Sequence, residues 1–261
     1  MTSTWLTPHR LRRAAPTRTH APSDVGAGVD ARGSTRPTAI LDLDAPALAS
    51  IRVPDATATP RERLHAAHER IGARVRPVYS MADRRPVSAV LRLGRGSCSQ
   101  RLAVLKGVAR REGIATRVRG LVIDGRFWYP RFRGLERLVP ERILLAWPEF
   151  RIDGAWVDIG HLFPTSDATA FTNAGAETLF DALGRGAVRI DGPACDCADD
   201  SLARWVQFEL GTFDDRDSLY DTWGQNLPTP VRVAIEPVFG RWSAGATRPL
   251  SRSAVDSHLS N

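Results

Sequence analysis

The spacing of apolar residues changes along this chain, and each change marks an element. Residues 1–38 carry Pro, Gly, Thr, Ser and Arg without apolar periodicity, which predicts a disordered tail. Apolar positions recur from Ala39 onward. Asp44 is placed to cap a short helix bearing Leu48 and Ile51. Thr59 then predicts an N-cap, with Pro60 at the first helical position and Leu64, Ala67, His68 and Ile71 on one face. Val87, Val90 and Leu91 predict a short helix ending at Gly94 or Gly96. From Ser97 a longer run places Leu102, Leu105, Val108 and Ala109 at helical spacing until Gly113 ends it.

After Gly113 the period falls to two, and Ile114 to Ile123 reads as a strand ending in an Asp124-Gly125 turn. A loop of aromatic residues and arginine, Phe127 to Phe132, follows. Two further strands, Ile143 to Ile152 and Ala155 to Ile159, flank Asp153-Gly154, a two-residue hairpin turn. The last hundred residues read as mainly helical. Helices are predicted over Glu177–Leu183, over a run marked by Leu202, Trp205, Val206 and Leu210, over Asp214–Trp223, and from Thr229-Pro230 with Val231, Ala234, Ile235 and Val238 on one face. The fold class implied is α+β. A basic tail (1–38) leads into a core (39–165), a helical extension packed on it (166–245) and a second disordered tail (246–261).

Charge narrows the function classes. The net charge is +7. Residues 1–38 hold six arginines against Asp24 and Asp30, a surplus of four, so the body carries only about +3. A nucleic-acid binder is expected to show a basic stripe with interleaved aromatics on its folded part, and none is apparent. No window approaches the roughly 18 uncharged apolar residues of a spanning helix, so no membrane partner is expected. Met1 to Ser23 has no apolar h-region of a secretory signal, although its arginines among Ser and Thr also resemble an organellar transit peptide. Cysteines number three, and Cys195 and Cys197 stand too close for an ordinary disulfide. That fits a reducing, cytoplasmic setting.

Cys98 is the leading candidate for chemistry. A cysteine in the first turn of a helix meets unpaired N–H groups and the positive end of the dipole, both of which favour the nucleophilic thiolate. Gly94 and Gly96 just before it allow close approach of backbone or substrate. Acyl transfer further needs a base, a group that orients the base, and oxyanion donors. The competing reading is a small buried thiol. His65, His68 and Glu69 share a helical face, and Cys195-x-Cys197 precedes Asp199 and Asp200, yet neither set supplies a complete metal ligand shell. No metal and no cofactor is expected.

Gly96-Ser97-Cys98, followed by Arg110, Gly113-Ile114 and Arg117, resembles the signature of the transglutaminase-like superfamily. The short helix starting at Pro86-Val87, the Ala146-Trp147-x-Glu149 strand and the Gly154-x-Trp156 strand are similar to its neighbouring elements, and the resemblance spans roughly residues 40–165. It implies a Cys-His-Asp triad, with amide cleavage, cross-linking or amide formation as the activities. The histidine slot, however, holds Leu145 and the aspartate slot holds Gly160. Asp158, on the same strand face as residue 160, and His161 beside it are the candidate substitutes. Trp128, Tyr129 and Trp147 are candidate substrate-binding residues. Two functions stay open. One is a thiol-dependent acyl transferase or amide hydrolase acting on a peptide, a carrier-bound acyl group or a small amide. The other is a catalytically degenerate relative that binds a peptide or partner protein.

Overall fold

A computed structural model describes residues 6–7, 9–13, 31–55, 57–164, 171–190 and 202–244. Cys195 and Cys197 lie outside the described residues. Five short or medium helices come first: α1 (His9–Arg13), α2 (Pro46–Ala49), α3 (Pro60–Arg74), α4 (Val87–Leu93) and α5 (Cys98–Arg111). Two-residue strands β1 (Arg76–Pro77) and β2 (Arg95–Gly96) pair in parallel. Then come β3 (Thr116–Asp124), β4 (Arg142–Ile152), β5 (Ala155–Asp158) and α6 (Ile159–Leu162). The chain finishes with α7 (Leu179–Gly184), β6 (Val206–Phe213), α8 (Arg216–Trp223) and α9 (Thr229–Phe239). The main sheet is antiparallel, in the order β5-β4-β3-β6.

The helix boundaries follow local chemistry. Thr59 accepts the Glu62 N–H while the Glu62 carboxylate accepts the Thr59 N–H, a capping box that opens α3 with Pro60 at its first position. Gly94 closes α4 in the left-handed region (φ 59°). Ser97 and Gln100 form a second capping box at the start of α5. Asp153 and Gly154 both take positive φ (50° and 80°), as a two-residue hairpin turn requires. The first short helix in the core starts one residue later than expected, with Ala45 rather than Asp44 at the cap.

Helix α5 is the centre of the molecule. Every residue from Gln100 to Arg110 is buried, because α3, α4 and α7 cover one side and the sheet the other. Leu102, Val104, Leu105 and Val108 join Leu121, Val122, Trp147 and Phe150 in one apolar core. Burying side chains of this size stabilises by about 1.5–3 kcal/mol each before entropy is counted.

Two stretches differ from expectation. Residues 202–210 were expected to be helical, but Leu202–Trp205 is a single 3-10 turn and Val206–Phe213 is strand β6 on the edge of the sheet. Val206, Phe208 and Leu210 alternate with Gln207 and Glu209, so period two competes with period 3.6 here. The unpaired edge of β3 decides between them, since its backbone groups need partners. The C-terminal segment therefore contributes a sheet strand as well as helices. The N-terminal segment, expected to be without order up to residue 38, is held against the body at α1, where Leu11 is fully buried and its carbonyl accepts from Arg142 Nη1 (2.7 Å), and again from Ala31. Ser34 exchanges two backbone hydrogen bonds of 3.0 Å with Thr116, and Ala31 N–H donates to Thr212 Oγ1. These are backbone contacts, which an apolar-periodicity reading cannot detect.

Candidate active site and the cavity beside Cys98

Cys98 is the first residue of α5. Gly96 is required just before it: a Cβ there would lie 2.9 Å from Val90 Cγ1 and 3.1 Å from Gln100 Oε1. Gln100, buried at 1 % exposure, also donates to Ser80 Oγ (2.9 Å) and Ala82 C=O (2.8 Å), which fixes the 80–85 loop against the helix start.

The thiol opens on a cavity of about 200 Å³. Its walls are Ser97–Ser99 from α5, Ile143–Leu145 from β4, Leu138–Pro140 before that strand, and Trp128, Arg131 and Phe132 from the loop after β3. Its roof is α9, through Val231, Ile235 and Phe239. Glu236 of α9 accepts from Ser80 Oγ (2.7 Å), the Met81 N–H (2.7 Å) and Arg85 Nη2 (2.6 Å), which pins the roof to the 80–85 loop.

Cys98 keeps part of its surface open toward the cavity. Burial nevertheless pushes its thiol above the ordinary value, against the opposing pull of Arg101, Arg131 and Arg216 and of the Ser99 backbone N–H. Leu145, expected in the histidine position of the motif, lines the same cavity, and no imidazole does among the described residues. One carboxyl group lies in the wall. Asp83, 5 % exposed, is raised to about 6 by burial, partly offset by Arg216 and by the hydrogen bond from Asn226 Nδ2 (3.2 Å). Sequence reasoning missed Asp83, Arg131, Arg216 and Asn226, because nothing local in the chain ties them to Cys98.

Asp158 and His161 are brought together, but away from Cys98. Asp158 caps α6 through the Gly160 N–H (2.7 Å), accepts from the Trp147 indole (3.1 Å) and meets His161 Nδ1 at 2.6 Å. It is paired across the sheet with Glu149, four residues and about 13 Å along β4 from Leu145. The first turns of α3 lie beside the same stretch. Arg61 donates to the His161 and Leu162 carbonyls, and Arg63 pairs at 3.3 Å with Glu112 at the far end of α5. Cys98 and Glu112 are fourteen residues apart, about 21 Å along a helix. Neither Asp158 nor His161 lines the cavity. Trp147 is fully buried and bonded to Asp158, so it packs the core rather than a substrate. Trp128 lines the cavity; Tyr129 does not.

The two histidines of α3 have structural partners. His65 Nε2 meets Leu162 C=O at 2.9 Å, and His68 Nε2 meets Phe180 C=O at 2.8 Å with its ring stacked on Phe180 at 3.9 Å. Burial lowers His68 to about 4. Among the described residues no group of three His, Cys, Asp or Glu side chains is arranged to hold a metal ion, and no helix is long and apolar enough to cross a membrane.

Residues 51–160 match the family described as the transglutaminase-like superfamily. No curated protein and no solved structure matches the chain.

Proposed function

Residues 51–160 of this chain form a transglutaminase-like core, and on that premise we propose that its cleft has become a binding pocket for an apolar group of a ligand. Cys98 serves there as a largely neutral wall residue. The observation that carries this reading is the shared cavity of Cys98 and Leu145. A papain-like mechanism needs an imidazole within hydrogen-bond reach of the sulfur to take its proton. Leucine accepts no proton, burial disfavours the thiolate, and the nearest Asp–His pair serves the other end of α5. The walls that remain are mainly aliphatic and aromatic, the usual composition of a ligand site. Alkylation by iodoacetamide tests the reading, with Cys98 followed by peptide mapping. Cys98 is expected to react more slowly than glutathione at pH 7; faster reaction overturns the neutral-thiol assignment.

A second reading, thiol-dependent acyl transfer, draws support from a separate observation. The Ser99 backbone N–H and three guanidinium groups act on the Cys98 sulfur, and such groups stabilise a thiolate or an oxyanion. It predicts a stoichiometric burst of 4-nitrophenolate from an activated ester, lost in Cys98→Ala. Absence of any burst leaves the binding reading alone.

A further inference from the structure

We propose that the cavity beside Cys98 binds an unbranched carboxylate of medium chain length, with its tail along β4 beneath α9 and its carboxylate at Arg131. This rests on the binding reading above and adds the chemical class of the ligand.

Size and shape give the tail. An apolar cavity of about 150 Å³ lined by Leu, Ile and Phe stays dry and holds a benzene molecule. At about 200 Å³ this one has room for roughly six to eight carbons on the same scale. Its walls follow β4 and the segment before it from Leu145 back to Pro140, on the order of 15 Å of extended chain. So small a volume over such a length makes a slot, which suits a chain better than a ring or a branched side chain. Leu144, Leu145, Leu227, Val231 and Ile235 offer it aliphatic contact.

Charge gives the head. Arg131 lines the cavity at the Cys98 end. Its hydrogen bonds go to Asn173 Oδ1, the Glu177 carbonyl and the Ala244 carbonyl, all neutral acceptors. Guanidinium has five N–H donors, so two remain, with the full positive charge. Arg216, 0 % exposed, likewise bonds only neutral oxygens: the Ser99 carbonyl, Ser99 Oγ and Tyr220 Oη. Its Nε has no partner. Arg101, by contrast, is paired with Asp181 at 3.0 Å. Buried charge is normally compensated, and for Arg216 the compensation is incomplete, while the half-buried Arg131 keeps its free donors without an acidic partner. Asp83 acts on Arg216 from the same wall, while no carboxylate is bonded to Arg131. An anionic head fits this end, and an ammonium head does not.

The test is calorimetric titration of the full chain at pH 7.5 with octanoate, octan-1-ol, octylamine and acetate. Octanoate is expected to bind at least tenfold more tightly than octanol, with octylamine and acetate giving no measurable binding. Val231→Trp, which fills the slot from the roof, is expected to weaken octanoate at least tenfold; Arg131→Met removes the preference for octanoate over octanol. If Arg131→Met fails to fold, the four-ligand series still decides. Equal binding of octanoate and octanol overturns the carboxylate assignment and leaves the apolar pocket standing. If neither eight-carbon probe binds, the pocket reading falls with it.

Discussion

The two ends of helix α5 hold different sets of residues suited to chemistry. At the Cys98 end the sulfur, the helix N-terminus and Arg131 face a mainly apolar slot, and Arg101 and Arg216 act on the sulfur from outside it. At the Glu112 end, Asp158 and His161 meet at 2.6 Å, beside Glu149 and Arg117, which are themselves paired. Among the described residues the thiol's cavity has no imidazole in its wall, and no thiol is bonded to His161. Hydrogen bonds account for the order of the second end: Asp158 answers three donors there, the Trp147 indole among them. An acid and a histidine three residues apart therefore organise a strand-to-helix corner. Residue types suited to catalysis do not make a site when the fold separates them by about 13 Å of strand.

Several substitutions can break or sharpen this contrast. The largest effect is expected at the Asp158 end. Asp158→Ala removes an N-cap, worth about 1 kcal/mol, and leaves the buried Trp147 N–H unsatisfied, at about 1–3 kcal/mol. Urea unfolding should show a loss of about 2–4 kcal/mol. The milder Asp158→Asn should leave the alkylation rate of Cys98 unchanged; a slowed rate would mean that the two ends are coupled.

Next comes Asp83 at the Cys98 end. Its folded pKa, about 6 against an ordinary 3.8, means that the folded state binds more protons between those values. Stability from this group is full below about pH 4 and falls as pH rises to about 6. His68 acts in the opposite sense. Its pKa is lowered to about 4 from 6.5, so its contribution rises with pH over an overlapping window. The wild type should therefore show a shallow profile there. Asp83→Asn should raise stability at pH 7.5 by about 2–3 kcal/mol, give little change at pH 3.5, and uncover the His68 rise in a urea series against pH.

Leu145→His restores an imidazole to the cavity wall. Alkylation of Cys98 near pH 7 should then accelerate about tenfold; an unchanged rate would show that residue 145 does not reach the sulfur. The smallest effect belongs to His161→Gln. Its side chain is 37 % exposed, and a single hydrogen bond contributes about 0.5–1.5 kcal/mol net. A larger loss of stability would show that the Asp158–His161 pair does more than hold a corner.

The sequence by itself determined the elements that depend on neighbours a few residues away. The capping box at Thr59, the glycine stop at Gly94, the Asp153-Gly154 hairpin and the position of Cys98 at a helix start are all local, and all are legible in the chain. Tertiary structure alone decided the rest. The edge of β3 drew Val206–Phe213 into a strand where two periodicities competed. The roof α9, the wall residue Asp83 and the partners of Arg131 come from chain segments far from Cys98, and Arg216 reaches the Ser99 carbonyl across 117 positions. Burial, which pushes the thiol up and leaves the Arg216 charge incompletely compensated, belongs to no single segment. It arises only when those segments close around the start of α5.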